Sequence, residues 1–361
     1  MTEVSKRKGQ SAGQQCRIAA VAMVKNEEDI IELFIRHTLS FCDRLYICNH
    51  NSADRTAEII HALADEGFDI RMSHSTAAGY PQERITHGLI TQAIADGAEW
   101  ILPLDADEFP FSETGSVRDA LLSLDPSVEW RYVWRNYFFS SEAKLKDKNF
   151  FKRFDIYSDS MFGKCLFHSQ LYSSHYCRIT KGNHFLKYAG RRSIPLVKHV
   201  PGVKLAHFPA PTFGKLVWKN INFGIIASNR GFDEIAQSGW MHFDVKNISE
   251  LYASGSKFSK GSPRIAPITT KYTTRRFASD ERYVIAQLAG SYREYHEHAT
   301  RAGIKRFRRF DKYRELLRYG FVATISTIWN VLTRAGRKHK SAYGQQLTSG
   351  MGGFYINFTD I

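Results

Sequence analysis

The sequence predicts an α/β fold, a sheet of mainly parallel strands with helices on both faces. Three observations carry this. Short apolar runs of strand length recur along the first hundred residues. Between them lie stretches whose apolar residues repeat at helical spacing. A polar cluster follows several of the apolar runs, as expected at the carboxyl ends of parallel strands, where ligands sit.

The elements follow in order. Ile18–Val24 is an unbroken run of small apolar residues, which suits a strand covered on both faces. From Glu27 to Phe41, apolar Ile30, Ile31, Phe34, Ile35 and Leu39 predict a helix. Arg44–Cys48 reads as a second strand, Asn49–Asp54 as a polar turn and Arg55–Glu66 as an amphipathic helix. Ile70–Met72 is a brief strand. Gln82–Asp96 is helical, with Leu89, Ile90, Ala93 and Ile94 as its apolar side. Glu99–Leu104 is a further strand, cut off by Asp105-Ala106-Asp107-Glu108-Phe109-Pro110.

Beyond residue 128 the pattern changes. Trp130–Phe139 alternates loosely, and strand-like runs follow near Phe150–Phe154, Lys164–Phe167 and His184–Tyr188, predicting a mixed or antiparallel extension. Helical patterns dominate over 212–237, 279–299 and 303–333, and the Ser/Gly/Pro/Lys-rich stretch Ser254–Thr274 reads as a mobile loop. The expected division is a leader over 1–16, a catalytic domain over 17–211, a helical basic region over 212–345 and a tail over 346–361.

The chain of 361 residues has 43% hydrophobic and 24% charged residues, a globular balance that excludes collagen-like and wholly disordered classes. Five cysteines (Cys16, Cys42, Cys48, Cys165 and Cys177) show no CxxC spacing, which speaks against a disulfide scaffold or zinc ribbon and for reduced thiols. No signal peptide is visible, and the longest late apolar run, Phe321–Leu332, is too short to span a bilayer. The expected location is the cytoplasm, with peripheral contact at the inner membrane face as an option. The net charge of +14 is uneven: residues 251–361 hold 20 Lys and Arg against seven Asp and Glu. An electrostatic partner would meet that third.

The acidic box carries the clearest chemistry. Asp105 and Asp107 at a strand end suit a hard divalent cation, which keeps open positions for water and phosphate oxygens. Two apart on an extended segment, their carboxylates would point the same way and reach one ion–phosphate unit. A solvated acidic turn is the plain alternative. The clusters Lys25-Asn26-Glu27 and Asn49 to Asp54 should meet this box in space. Asn26 and Glu27 also suit helix capping, Asn51 and Ser52 suit a capped turn, and Arg84 suits either a phosphate contact or a surface ion pair.

Taken together, Val24-Lys25-Asn26-Glu27-Glu28, Asn51-Ser52-Ala53-Asp54-Arg55-Thr56 and Trp100-Ile101-Leu102-Pro103-Leu104-Asp105-Ala106-Asp107-Glu108-Phe109 resemble glycosyltransferase family 2. The likeness is to the branch with a KNE opening and a DADEF box, and it covers about residues 17–210. It implies a GT-A fold, a Rossmann-type mixed sheet, and transfer of a sugar from a nucleotide-sugar donor to an acceptor hydroxyl, by inversion, in cell-surface glycan or polysaccharide synthesis. It implies further that Asp105 faces the ribose and that Asp107 binds the metal. Lys25, Asn26, Glu27, Asn49, His50, Asp54 and Arg84 would line the nucleotide site. Asn49-His50 stands where many members carry paired Asp, so a UDP- or GDP-linked donor is expected without a choice between them. Lys181-Gly182-Asn183-His184 and Ala206-His207-Phe208-Pro209 resemble the GNH and HFP segments of the branch. By that likeness Asn183 and His184 contact substrate and His207 joins Asp107 and Asp105 at the metal, which favours Mn2+ over Mg2+ because imidazole suits it better. The acceptor would be a glycan, a lipid-linked sugar or a small molecule. Candidate bases for its hydroxyl are Glu108, Asp147 and Asp155, with nothing in the sequence to choose among them.

Lys305-Arg306-Phe307-Arg308-Arg309-Phe310 mixes cations with aromatics, which suits either an anionic membrane surface or a solvated helix face. Nucleic acid is disfavoured, because no reader motif is present. Two rival functions share some of these features. A nucleotidyltransferase forming sugar nucleotides would need a Gly-rich basic loop where Lys25-Asn26-Glu27-Glu28-Asp29 stands. A non-enzymatic binder of acidic polymers or membranes would use the basic helices alone.

Overall fold

A computed structural model describes residues 17–77, 81–138, 147–160, 163–189, 195–209 and 259–273. The chain divides into two compact units. In its described parts the larger unit takes in residues 17–137, 159–208 and 263–273.

The larger unit opens with β1 (Ile18–Val24), α1 (Ile31–Thr38), β2 (Arg44–Asn49), α2 (Thr56–Asp65), β3 (Ile70–His74), α3 (Gln82–Ala95) and β4 (Trp100–Pro103). Then come β5 (Glu108–Ser112), α4 (Val117–Leu122) and β6 (Glu129–Phe138). After β7 (Ile156–Asp159) follow β8 (Cys165–His168), α5 (Ser169–Ser174), β9 (Cys177–Ile179), β10 (Leu186–Tyr188) and β11 (Val197–His207), with β12 at Ser259–Lys260. Strands β3, β2, β1 and β4 lie side by side and parallel. Antiparallel β8 and then β6 extend the sheet beyond β4. Strand β11 runs parallel to β6 and antiparallel to β5. The fold is therefore the mixed Rossmann-type α/β sheet expected of a GT-A-like domain.

All seven residues of β1 are buried, as a strand covered on both faces requires. Ala19 and Val21 of β1 and Tyr46 and Cys48 of β2 pack with Leu89, Ile90 and Ala93 of α3. The two-residue period turns Ala20, Ala22, Leu45 and Ile47 to the other face. Helices α1 and α2 bury Ile31, Phe34, Ile35, Ile59, Ile60 and Leu63.

Several local expectations change. The helix expected from Glu27 begins at Ile31, because Glu27 to Ile30 form a turn in which both Ile30 and Ile31 donate to the Glu27 carbonyl. Phe109-Pro110-Phe111 is a strand rather than a turn. The long β11 had no clear signal, since Pro201-Gly202 breaks its pattern. There the register on β6 shifts between His199 and Lys204, and Gly202 takes a left-handed φ of 65°.

In the smaller unit, Phe150–Arg153 forms a 3-10 turn instead of the expected strand. Asn149 caps it by accepting from the Phe151 N–H at 3.0 Å. In the same unit β12 pairs antiparallel with β7 through Ser259 and Tyr157.

The stretch read as a mobile loop is, in its described part, tied down. The N–H groups of Lys271, Tyr272 and Thr273 all donate to the Glu32 carboxylate, at 2.7, 2.8 and 2.8 Å. The side chains of Lys271 and Tyr272 reach Glu66. Among the described residues no helix is long and apolar enough to cross a membrane. Cys42, Cys48, Cys165 and Cys177 are free thiols, all buried. The leader, the helical region beyond 212 and the Lys305–Phe310 cluster lie outside the described residues.

Candidate active site

The loops after β1 and β2 are laced together. Asn26 adopts a left-handed φ of 56°, which asparagine tolerates. Its N–H donates to Ser52 Oγ at 2.9 Å, and its Oδ1 accepts from the Ala53 N–H at 2.8 Å. Glu27 N–H donates to Thr56 Oγ1, and Glu28 N–H to Asp54 Oδ2. Glu28 returns the contact by accepting from the Arg55 N–H at 2.8 Å. Asp54 also accepts from the Thr56 N–H at 2.9 Å, at the start of α2. Asn26 and Asp54, expected at the nucleotide, thus serve as the fasteners of this rim. Lys25 and Glu27 are half-buried beside them.

Asn49 and His50 end β2 one step further in. His50 is fully buried, with Nδ1 3.3 Å from Ser75 Oγ. Asn49 is 6% exposed, and its Oδ1 has no hydrogen-bond partner. A buried acceptor left without a donor costs about 1–3 kcal/mol.

After β4, residues 105–108 form a turn, closed by the Glu108 N–H on the Asp105 carbonyl at 3.1 Å. The expectation that both acids point one way rested on an extended segment, and the turn removes that premise. Asp105 and Asp107 have different surroundings. Asp105 pairs with the Lys164 ammonium, and its Oδ1 lies 3.2 Å from Gln82 Nε2 and 3.5 Å from Asn183 Nδ2. Asp105, expected at both ribose and metal, therefore has its carboxylate surrounded by donors of the chain itself.

Glu108 is completely buried. Its Oε2 accepts from the Asp105 N–H and its Oε1 from Trp134 Nε1, each at 2.9 Å, with Lys164 Nζ 3.4 Å away. Burial, with Asp105 and Asp107 nearby, pushes its carboxyl well above the usual range, and Lys164 only partly offsets this. The expectation that Glu108 acts as a base thus meets an enclosed side chain that holds the turn.

Lys164, read from the sequence only as the start of a strand-like run, pairs with Asp105 and lies 3.4 Å from Glu108. Burial disfavours its charge, but Asp105 and Glu108 outweigh that and push its pKa up to about 12. The chain leaves it no slack. The Lys164 carbonyl accepts from the Tyr132 N–H at 2.9 Å. At the preceding Gly163 a Cβ would lie 1.5 Å from the Tyr132 carbonyl oxygen, so only glycine fits.

Asp107 is 8% exposed and faces His207, whose Nε2 is 3.8 Å from Oδ2. The other ring nitrogen, Nδ1, lies 2.7 Å from Asn136 Oδ1. An amide oxygen only accepts, so Nδ1 carries the proton, and in the neutral ring Nε2 presents a lone pair to Asp107. The imidazole stacks on Trp134 at 4.6 Å between centroids. Strand β11 sets this pair, because His207 lies opposite Glu108 on β5 and Asn136 on β6.

The segment Lys181–Asn183 is pinned to the start of α3. Lys181 N–H donates to Glu83 and Gly182 N–H to Gln82 Oε1, at 2.7 and 2.8 Å. Asn183, 1% exposed, has an Oδ1 without a hydrogen-bond partner. His184 Nδ1 lies 2.6 Å from the Gly163 carbonyl, and the ring meets Trp134 edge-on. Arg84 is exposed on α3. Asp155 belongs to the smaller unit, where its N–H donates to the Phe138 carbonyl. Gln82, Trp134, Asn136 and Lys164 were missed, since each acts through contacts distant in sequence.

Among the described residues no group of three or more His, Cys, Asp or Glu gathers to hold a metal ion. Asp107 and His207 bring a carboxylate oxygen and an imidazole nitrogen to 3.8 Å from each other. That donor set fits a cation that takes its remaining ligands from phosphate and water.

No known family model matches the sequence, and no curated protein matches it either. Among solved structures the chain is similar to a mannosyltransferase, PcManGT from Pyrobaculum calidifontis, in complex with GDP-Man and Mn2+. The two share 13% identity at a TM-score of 0.35, over 90% of this chain and 87% of that chain.

Proposed function

We propose that this chain is a metal-dependent glycosyltransferase that moves a sugar from a nucleotide-sugar donor to an acceptor hydroxyl. The observation that carries the reading is the Asp107–His207 pair, 3.8 Å apart beside the turn that follows a parallel strand. The resemblance of the KNE and DADEF segments supports the same reading. In the reaction the acceptor oxygen bonds to the anomeric carbon as the bond to the diphosphate oxygen breaks, and the hydroxyl proton passes to a base. A divalent cation, when bound, neutralises charge developing on the leaving diphosphate.

The chain's own residues then have distinct tasks. Asp107 and His207 hold the cation, and Asn136 fixes the imidazole tautomer. Trp134 covers the imidazole face. Glu108 keeps the turn closed rather than taking the acceptor proton. Asn49 Oδ1 and Asn183 Oδ1, both buried and without hydrogen-bond partners, accept from N–H or O–H groups of the nucleotide. The loop after β1 has no glycine and is laced to the β2 loop, so the reading favours a diphosphate donor over a triphosphate-binding nucleotidyltransferase.

The test is thermal unfolding with UDP, GDP, CDP, ADP and dTDP, each with and without Mn2+. Binding to the native state raises the melting temperature by mass action. One diphosphate is expected to stabilise the wild type only with Mn2+, and Asp107→Ala is expected to abolish that increment. Stabilisation by none of the five would overturn the reading.

A further inference from the structure

We infer that Lys164 is a positioning residue that keeps Asp105 out of the metal shell and leaves Asp107 as the metal-facing carboxylate. This rests on the proposed donor site. Two acids two residues apart would otherwise compete for one cation. The geometry separates them: Asp105 faces an ammonium and two amides, whereas Asp107 faces an imidazole nitrogen.

Lys164 is wholly buried and immediately precedes β8, the strand that pairs with β4. Its ammonium lies between Asp105 and Glu108, and 5.8 Å from the centre of the Trp134 ring. Trp134 in turn donates to Glu108 and stacks on His207. One cation of the protein therefore braces Asp105 and Glu108, while the imidazole of His207 faces Asp107. Gly163 keeps the lysine backbone against β6. A merely structural ion pair would hold the turn and leave the division of metal ligands untouched. An internal counter-ion does more, because its removal adds an unneutralised carboxylate close to the cation.

The two roles predict opposite effects on Mn2+ binding, measured by electron paramagnetic resonance of the purified full chain without nucleotide. Lys164→Met should bind Mn2+ about tenfold more tightly than wild type, since a freed negative charge attracts a divalent ion strongly at this range. Unchanged or weaker binding would overturn the inference. If that variant does not fold, the charge-balanced double variant Lys164→Met/Asp105→Asn decides alone. Mn2+ affinity within about threefold of wild type supports the inference, and a loss of tenfold or more makes Asp105 a ligand and overturns it. Asp107→Asn is the control for the site itself. If the wild type binds no Mn2+, or Asp107→Asn binds it as well as wild type, the metal-site reading fails, and this inference with it.

Discussion

At Asn49 an amide oxygen is buried without a hydrogen bond, in a strand whose preceding residues Leu45, Tyr46, Ile47 and Cys48 are buried too. Such a position is unfavourable for folding and useful for binding. Asn49→Val should therefore raise the unfolding free energy by about 1 kcal/mol, measured by urea denaturation, while weakening the Mn2+-dependent nucleotide response. A loss of stability with unchanged nucleotide binding would show that the amide serves the fold. Lys164 is the opposite case. Removing one partner of a buried ion pair costs roughly 3–5 kcal/mol, so the lysine stabilises the turn that it also sorts. The sequence marks Asn49 through its place after an apolar run. It gives no sign of Lys164, because a lysine beside a short strand looks like any surface cation until β8 is seen to pair with β4 and β6.

The element that departs most from expectation is the returning segment 263–273. Its three successive N–H groups close on Glu32, which also holds Arg36 at 2.9 Å. Burial raises the Glu32 pKa, but these donors outweigh it, and the carboxyl ends below its usual 4.5. Arg36, with Tyr272 and Lys271, lowers Glu66 to about 2. Both groups bind protons more weakly folded than unfolded. Their contribution to stability is thus complete above pH 4.5 and is lost as pH falls toward 2. Glu32→Gln should cost about 2 kcal/mol at pH 7 and flatten the acid limb of a pH–stability curve. An acid limb as steep as that of the wild type would contradict this account of the strap.

The same contrast explains what could be read from sequence among the elements. Strands β1, β2 and β4 and helix α3 were legible because burial on fixed faces imposes a regular pattern. Strand β11 was hidden by Pro201-Gly202, and β5 by Pro110, although these two strands carry His207 and Glu108. The Ser/Gly/Pro-rich composition of 254–274 suggested mobility, yet its described part is held by a carboxylate 230 or more residues earlier, a contact that no local pattern encodes.

At the scale of the whole molecule, the order of the polar segments was informative, because parallel strands bring their carboxyl ends to one edge. The loops after β1 and β2 do meet there, through Asn26, Ser52 and Ala53. The loop-fastening bonds of Asn26 and Asp54 were less legible, since their partners lie in a different loop or depend on how the two loops meet. The excess positive charge of residues 251–361 falls mostly outside the described residues. The central claim is sugar transfer from a nucleotide donor at Asp107 and His207. Its most direct measurement is mass-spectrometric detection of free nucleoside diphosphate from a panel of UDP-, GDP-, CDP-, ADP- and dTDP-linked sugars with Mn2+, with water as the acceptor. Wild type should release the diphosphate from at least one donor, and Asp107→Ala should slow that release by a hundredfold or more, as loss of metal charge stabilisation implies. Release at equal rates by both, or from no donor, would contradict the account.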